Sequence, residues 1–167
     1  YSSVLEEHRA TRSAAGLFDV SHMGEFEVRG PEAGRFLDHV VPSRASTLPI
    51  GKVVYSVLTT ERGTIVDDLL IYRMAEDHFM TVVNASNRAK DFAWMQDNIS
   101  GFDASLEDVS DATALIALQG PKAREIMARL ATGVDAMAVK YYHWARGLVA
   151  GRPMMASRTG YTGEMGF

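Results

Sequence analysis

The sequence predicts an α+β fold of antiparallel sheets with helices on one face, and three observations point there. A strand followed by Gly-Pro and a helix occurs twice. It reads Phe26-Glu27-Val28-Arg29-Gly30-Pro31-Glu32-Ala33 with Phe36-Leu37, and again Ile116-Ala117-Leu118-Gln119-Gly120-Pro121-Lys122-Ala123 with Ile126-Met127. Between the two copies lies a β-branched hairpin, Val53 to Thr59 returning as Thr64 to Met74 around Glu61-Arg62-Gly63. Strand patterning then dominates from Tyr142 onward. Two such units with further strands nearby suit a split β-α-β arrangement of ferredoxin-like type. The expected division is one subdomain from residues 1–50 with 138–167 and a second from 51–137.

Taken in order, Val4 to Ala15 is polar with Ala and Leu interspersed and reads as a surface helix ending at Gly16, a residue suited to a left-handed cap. His22 follows in an apolar segment, where a lone histidine suits a hydrogen-bonded structural role better than a ligand role. Glu25 to Arg29 alternates Phe26 and Val28 with charged residues, the pattern of a half-buried strand. Pro31 fits the first turn of a helix, where its missing N–H costs nothing. Ala33, Phe36, Leu37, Val40 and Val41 form that helix's apolar stripe. After the hairpin, His78 to Asn84 reads as a third strand and Ser86 as the cap of a helix with Phe92, Met95 and Ile99 on one face. Tyr142 to Val149 and Pro153 to Ser157 form a second hairpin around Ala150-Gly151-Arg152.

Composition narrows the function classes. With 167 residues, 47% hydrophobic and 23% charged, the chain has enough apolar material for a substantial core. A net charge of −4 argues against nucleic acid or an anionic membrane as the main partner. The absence of cysteine excludes disulfides, thiolate nucleophiles and thiolate metal sites in this chain. No apolar run reaches membrane-spanning length and no secretory signal is visible. The chain starts at Tyr1 without a methionine and stops at Phe167 inside a strand-like stretch, so it is expected to be a piece of something larger.

The chemistry concentrates at Asp67-Asp68, inside the otherwise apolar run Gly63 to Tyr72. Successive strand side chains point to opposite faces, so Asp67 goes with Ile65, Leu69 and Ile71, and Asp68 with Val66, Leu70 and Tyr72. A buried carboxylate needs a hydrogen-bond donor, from protein or ligand. Asn84 ends the neighbouring strand beside a helix start, a common place for a ligand contact, although an Asx turn explains it equally. The closing stretch Arg158-Thr159-Gly160-Tyr161-Thr162-Gly163-Glu164 has spaced glycines but no following helix or Gly-Lys-Ser/Thr, so it is no phosphate loop. It reads as a turn that allows close approach and presents Tyr161.

Six blocks together carry a resemblance. Phe18-Asp19-Val20-Ser21-His22-Met23-Gly24, Tyr55-Ser56, Gly63 through Tyr72, Val82-Val83-Asn84-Ala85, Ala117 to Pro121 and Ser157 to Glu164 resemble, in order, the aminomethyltransferase or T-protein family of the glycine cleavage system. The resemblance covers the first part of that enzyme and implies a three-domain ring around a central tetrahydrofolate, with a ferredoxin-like unit among the domains. It implies transfer of an aminomethyl group from the lipoyl arm of the H-protein to tetrahydrofolate, releasing ammonia and forming 5,10-methylenetetrahydrofolate. By position Asp68 resembles the catalytic aspartate beside the reactive folate nitrogens, and Tyr55, Tyr72, Asn84, Tyr141 and Tyr161 resemble residues lining the pterin. The implied partners are lipoylated H-protein and tetrahydrofolate, with no metal, nucleic acid or membrane. The implied setting is the cytoplasm of a prokaryote or the mitochondrial matrix of a eukaryote, and the piece alone is expected to be inactive.

Departures matter. Glu61-Arg62-Gly63 stands where the family often has two glycines, which bears on loop shape more than on chemistry. The folate domains of sarcosine and dimethylglycine dehydrogenases, the dimethylsulfoniopropionate demethylase and a folate-binding iron–sulfur assembly factor share most of these blocks. Another folate-dependent demethylase or a non-catalytic folate-binding module therefore stays open.

Overall fold

The computed structural model describes residues 2–167. Its elements run α1 (Val4–Ser13), β1 (Gly16–Asp19), β2 (Gly24–Arg29), α2 (Ala33–Val40), β3 (Val53–Thr59), β4 (Ile65–Ala75) and β5 (His78–Val83). They continue with α3 (Arg88–Asn98), β6 (Ser105–Asp108), β7 (Ile116–Gln119), α4 (Ala123–Leu130), β8 (Ala131–Thr132), β9 (Trp144–Val149) and β10 (Arg152–Ser157). None of the described helices is long and apolar enough to cross a membrane.

The chain forms two compact units, Ser21–Leu115 and, from both flanks, Tyr1–Val20 with Ile116–Phe167. The crossings thus fall at 20/21 and 115/116 and differ from the 50/51 and 137/138 expected from sequence. Pairing explains the difference. β2 bonds to β5 on one side and β6 on the other, which draws residues 21–50 into the same sheet as the hairpin. β7 bonds to β1, which draws Ile116–Gln119 back to the N-terminal segment.

The continuous unit is a five-stranded antiparallel sheet of order β3-β4-β5-β2-β6. Within it, β4-β5-β2-β6 with helices α2 and α3 is the split β-α-β order, and β3 is an added edge strand. Phe36, Leu37 and Val40 of α2 and Met95 of α3 pack on Phe26, Val28, Leu58, Leu69, Ile71, Phe79 and Val83 of the sheet. Each such side chain contributes about 1.5–3 kcal/mol when fully buried. Phe92 meets Phe26 edge to face at 5.2 Å, fixing α3 against β2. The two ends of the unit meet, because Leu115 N–H donates to Ser21 Oγ at 3.1 Å.

The flanking unit holds the two-stranded β1-β7 pair, the β10-β9-β8 sheet, α1 and α4. Met127, Ala136, Val139, Ala156 and Phe167 form its core. Helix α1 is capped at Ser3, whose Oγ accepts from Glu6 N–H. It ends at Ala14, and Gly16, expected as its cap, instead opens β1. The two Gly-Pro turns use one device. Gly30 and Gly120 have φ of 128° and 131°, and a Cβ there would lie 2.5 Å from Asp103 O and 2.6 Å from Ala14 O respectively. Only glycine permits that backbone path.

Candidate functional site

A bulge in the β3–β4 ladder falls just before the acidic pair: Leu58 faces Asp67, while Thr59 faces Ile65. Val66 is therefore the extra residue, and Asp67 and Asp68 remain consecutive in register opposite Leu58 and Val57. The strand alternation holds through the pair. Asp67 shares the helix-covered face with buried Leu69 and Ile71, and Asp68 lies on the opposite face with Leu70 and Tyr72.

Asp68 is held from two strands. Tyr55 Oη donates to its Oδ2 at 2.8 Å, and Asn84 Nδ2 donates to its Oδ1 at 2.8 Å. Asn84 follows β5 directly, so the sheet register alone brings it level with the pair. Its amide also reaches Asp67 Oδ1 at 3.2 Å, linking the two acids. Asp68 and Asn84 are half-buried, and the Tyr55 side chain is 52% exposed. The result is a carboxylate with a fixed orientation that solvent or a ligand can reach.

Of the other residues singled out from sequence, Tyr72 is buried on the same face of β4 as Asp68. Tyr141 and Tyr161 belong to the flanking unit and are strongly exposed, 62% and 75%. Tyr141 stacks edge to face on Tyr142 at 4.7 Å. The spaced glycines before Phe167 wrap a buried side chain of their own unit: Gln119 Nε2 donates to Thr159 O and Phe167 O, and Thr162 Oγ1 donates to Gln119 Oε1. Close approach is thus what Gly160 permits, with the Gln119 amide as the neighbour. His22 is exposed in the turn before β2.

Two carboxyls that sequence reasoning did not place in the core are buried. Glu25, taken there as the polar side of an alternating strand, is 1% exposed. Burial pushes it from 4.5 up to about 7, with Arg88 opposing and Asp108 adding to the rise. Asp91 of α3 is fully buried. Burial first, then a hydrogen bond with Asp67 and the charge of Asp67, push it from 3.8 up to about 7, against a small opposing pull from Lys90. Asp67 itself moves down: burial would raise it, but hydrogen bonds from Asp91, Asn87, Asn84 and the Asp68 backbone outweigh that. The available signal for Asp91 was its place four residues before Met95, on the stripe that faces the sheet. Among the described residues, no group of three or more His, Asp or Glu side chains is arranged to hold a metal ion.

Residues 1–167 match the family model of the GCVT N-terminal domain. An aminomethyltransferase from Thermotoga maritima is 48% identical over the whole chain, and one from Thermus thermophilus is 50% identical. The chain covers 46% and 48% of those relatives, about half of their length. The crystal structure of glycine cleavage system aminomethyltransferase T from Bartonella henselae superposes with a TM-score of 0.86 at 38% identity, over 98% of this chain and 43% of that one. A heterotetrameric sarcosine oxidase from Corynebacterium has a TM-score of 0.61 at 14% identity, over 93% of this chain and 77% of that one, a likeness of fold alone.

Proposed function

The chain belongs to the GCVT N-terminal domain family, and from that premise we propose that its protein transfers an aminomethyl group from the lipoyl arm of the H-protein to tetrahydrofolate. The observation that carries the reading is Asp68 on the helix-free face of the sheet, oriented by Tyr55 and Asn84. In the reaction the methylene carbon forms bonds to two folate nitrogens and loses its bonds to sulfur and to the amino nitrogen. The products are dihydrolipoyl H-protein, ammonia and 5,10-methylenetetrahydrofolate, and the two protons lost by the folate nitrogens balance the thiol and the ammonia.

Asp68 serves this chemistry as an acceptor for the folate amine and as a negative charge beside the cation that develops as the carbon changes partners. A carboxylate already clamped by two donors needs no reorganisation at that moment. Tyr55 offers an exposed aromatic face next to the acid, suited to a flat ring. Tyr72 and Asn84 are the further proposed folate contacts of this unit, and Tyr141 and Tyr161 are proposed as folate contacts from the family resemblance alone. Much of the rate then comes from positioning, which is worth up to roughly 7–11 kcal/mol when reacting atoms are aligned. Under this reading the protein works in the cytoplasm of a prokaryote or the mitochondrial matrix of a eukaryote.

The test is ammonia release by the protein at its full natural length with aminomethyl-loaded H-protein and tetrahydrofolate. Turnover dependent on both substrates supports the reading. Folate binding without ammonia release would replace it with a folate-binding module whose chemistry lies elsewhere.

A further inference from the structure

We propose that Asp91 is a positioning residue that carries a proton and shares it with Asp67, so that the chain Asp91–Asp67–Asn84–Asp68 holds the Asp68 carboxylate in its working orientation. The proposal extends the transferase reading, since it assigns a task to a side chain that touches neither substrate. Its ground is a shortage of donors. Asp67 Oδ2 and both Asp91 oxygens are buried with no donor in hydrogen-bond geometry among the described residues, Asn87 standing near Asp67 without meeting it. Yet the two carboxyls stand within hydrogen-bonding reach of each other. Two carboxylate anions could not bond there, because each only accepts. A proton between them supplies the missing donor, and it also removes the repulsion of two like charges in a site closed to water.

The fold brings the pair together from opposite sides. Asp67 enters from the helix-covered face of β4, and Asp91 descends from α3 on the same stripe as core residue Met95. The charged groups bearing on Asp91 are Asp67 and Asp68 of β4 and Lys90 of its own helix. Lys90 does not neutralise it: Nζ stays 3.9 Å from Asp91 Oδ1 and donates to Val66 O at 2.7 Å. With the proton in place, Asp67 keeps one oxygen on Asp91 and the other on the Asn84 amide, which in turn holds Asp68. Loss of the proton sets two anions against each other under that amide and loosens its grip on Asp68.

The experiment compares Asp91→Asn and Asp91→Ala with the parent in the full-length protein. Asparagine cannot ionise but still donates to Asp67, whereas alanine does neither. Turnover of the parent should fall on the alkaline side of neutrality, and Asp91→Asn should remove that limb. At neutral pH Asp91→Asn should turn over at least ~10-fold faster than Asp91→Ala, with KM much less affected than kcat. Difference infrared spectra should show a carboxylic-acid carbonyl band in the folded parent that Asp91→Asn lacks and Glu25→Gln keeps. An unchanged alkaline limb in Asp91→Asn, or equal rates for the two folded variants, overturns the proposal. So does a missing acid band in the parent. Should Asp91→Ala not fold, the profile of Asp91→Asn and the infrared band still decide. A parent with no transferase activity but with the Asp91 band would overturn the proposed function while leaving the shared proton established.

Discussion

Tyr55 hydrogen-bonds Asp68 across the β3–β4 ladder on a diagonal: Tyr55 stands opposite Leu70, and Asp68 stands opposite Val57, yet Oη reaches Oδ2 at 2.8 Å. A long aromatic side chain can span that offset on one face of an antiparallel pair. Tyr55→Phe keeps the ring and removes the donor. We expect kcat/KM to fall about tenfold, the size of one hydrogen bond to a charged group, with the melting temperature nearly unchanged. Steady-state kinetics and calorimetry on the same preparation check both halves.

The two neighbouring acids should fail in different ways. Asp68→Asn preserves shape and removes charge, so turnover should drop by a factor on the order of 10² or more with little change in stability. Asp67→Asn turns an amide toward the Asn84 amide and disturbs the buried contact with Asp91. It should lower unfolding free energy by about 1–3 kcal/mol, with milder loss of turnover in the folded fraction. An inactive but stable Asp67→Asn beside a fully active Asp68→Asn would exchange the roles.

Stability should decline as the solution turns from mildly acidic to mildly alkaline. Glu25 and Asp91 hold protons in the folded protein up to about 7, against 4.5 and 3.8 when unperturbed. Between those limits the native state binds more protons than the unfolded chain, so stability from these groups is full below the unperturbed values and is lost as pH rises through about 7. Asp67 and Asp108 are shifted down and act oppositely, losing their contribution only as pH falls below the ordinary aspartate range. Melting temperatures from about pH 5 to about pH 8 should therefore descend, and Glu25→Gln and Asp91→Asn should each flatten the slope. A slope unaffected by either variant contradicts the assignment.

At Gly160 a Cβ would overlap the Gln119 amide. Gly160→Ala must then displace a buried side chain that ties Thr159 and Phe167 together, at a cost of about 1–3 kcal/mol. In a Gln119→Ala background the same substitution should cost markedly less. Denaturant titration of the four proteins gives the coupling, and additive effects would refute the contact.

The parts of the fold legible in the sequence are those set by local pattern. The Gly-Pro turns, the hairpin at Val53 to Met74 and the alternation that separates Asp67 from Asp68 all stand as expected. Strand β1 escaped notice because its partner, β7, lies most of the chain away. The helix after Asn84 starts at Arg88 with Asn87 as cap, later than Ser86, because a short 3₁₀ turn at Ala85–Asn87 intervenes. Glu25 and Asp91 were illegible as buried acids for a common reason. A carboxylate in an amphipathic pattern reads as solvated, and only tertiary packing reveals what closes over it.

Because Ser21 and Leu115 meet, the ferredoxin-like unit is a continuous insertion whose entry and exit lie side by side. On the ribosome its whole sheet has been synthesised by the time residue 116 is added, so it can close as it emerges while the rest is still being made. The flanking unit has no such freedom, since β1 must wait for β7. Until then the exposed edge of β1, with Leu17 and Phe18, is an unpaired strand in search of a partner. Errors of biogenesis should accordingly begin at β1, and a chaperone or a slowed codon after residue 115 would act on that strand first.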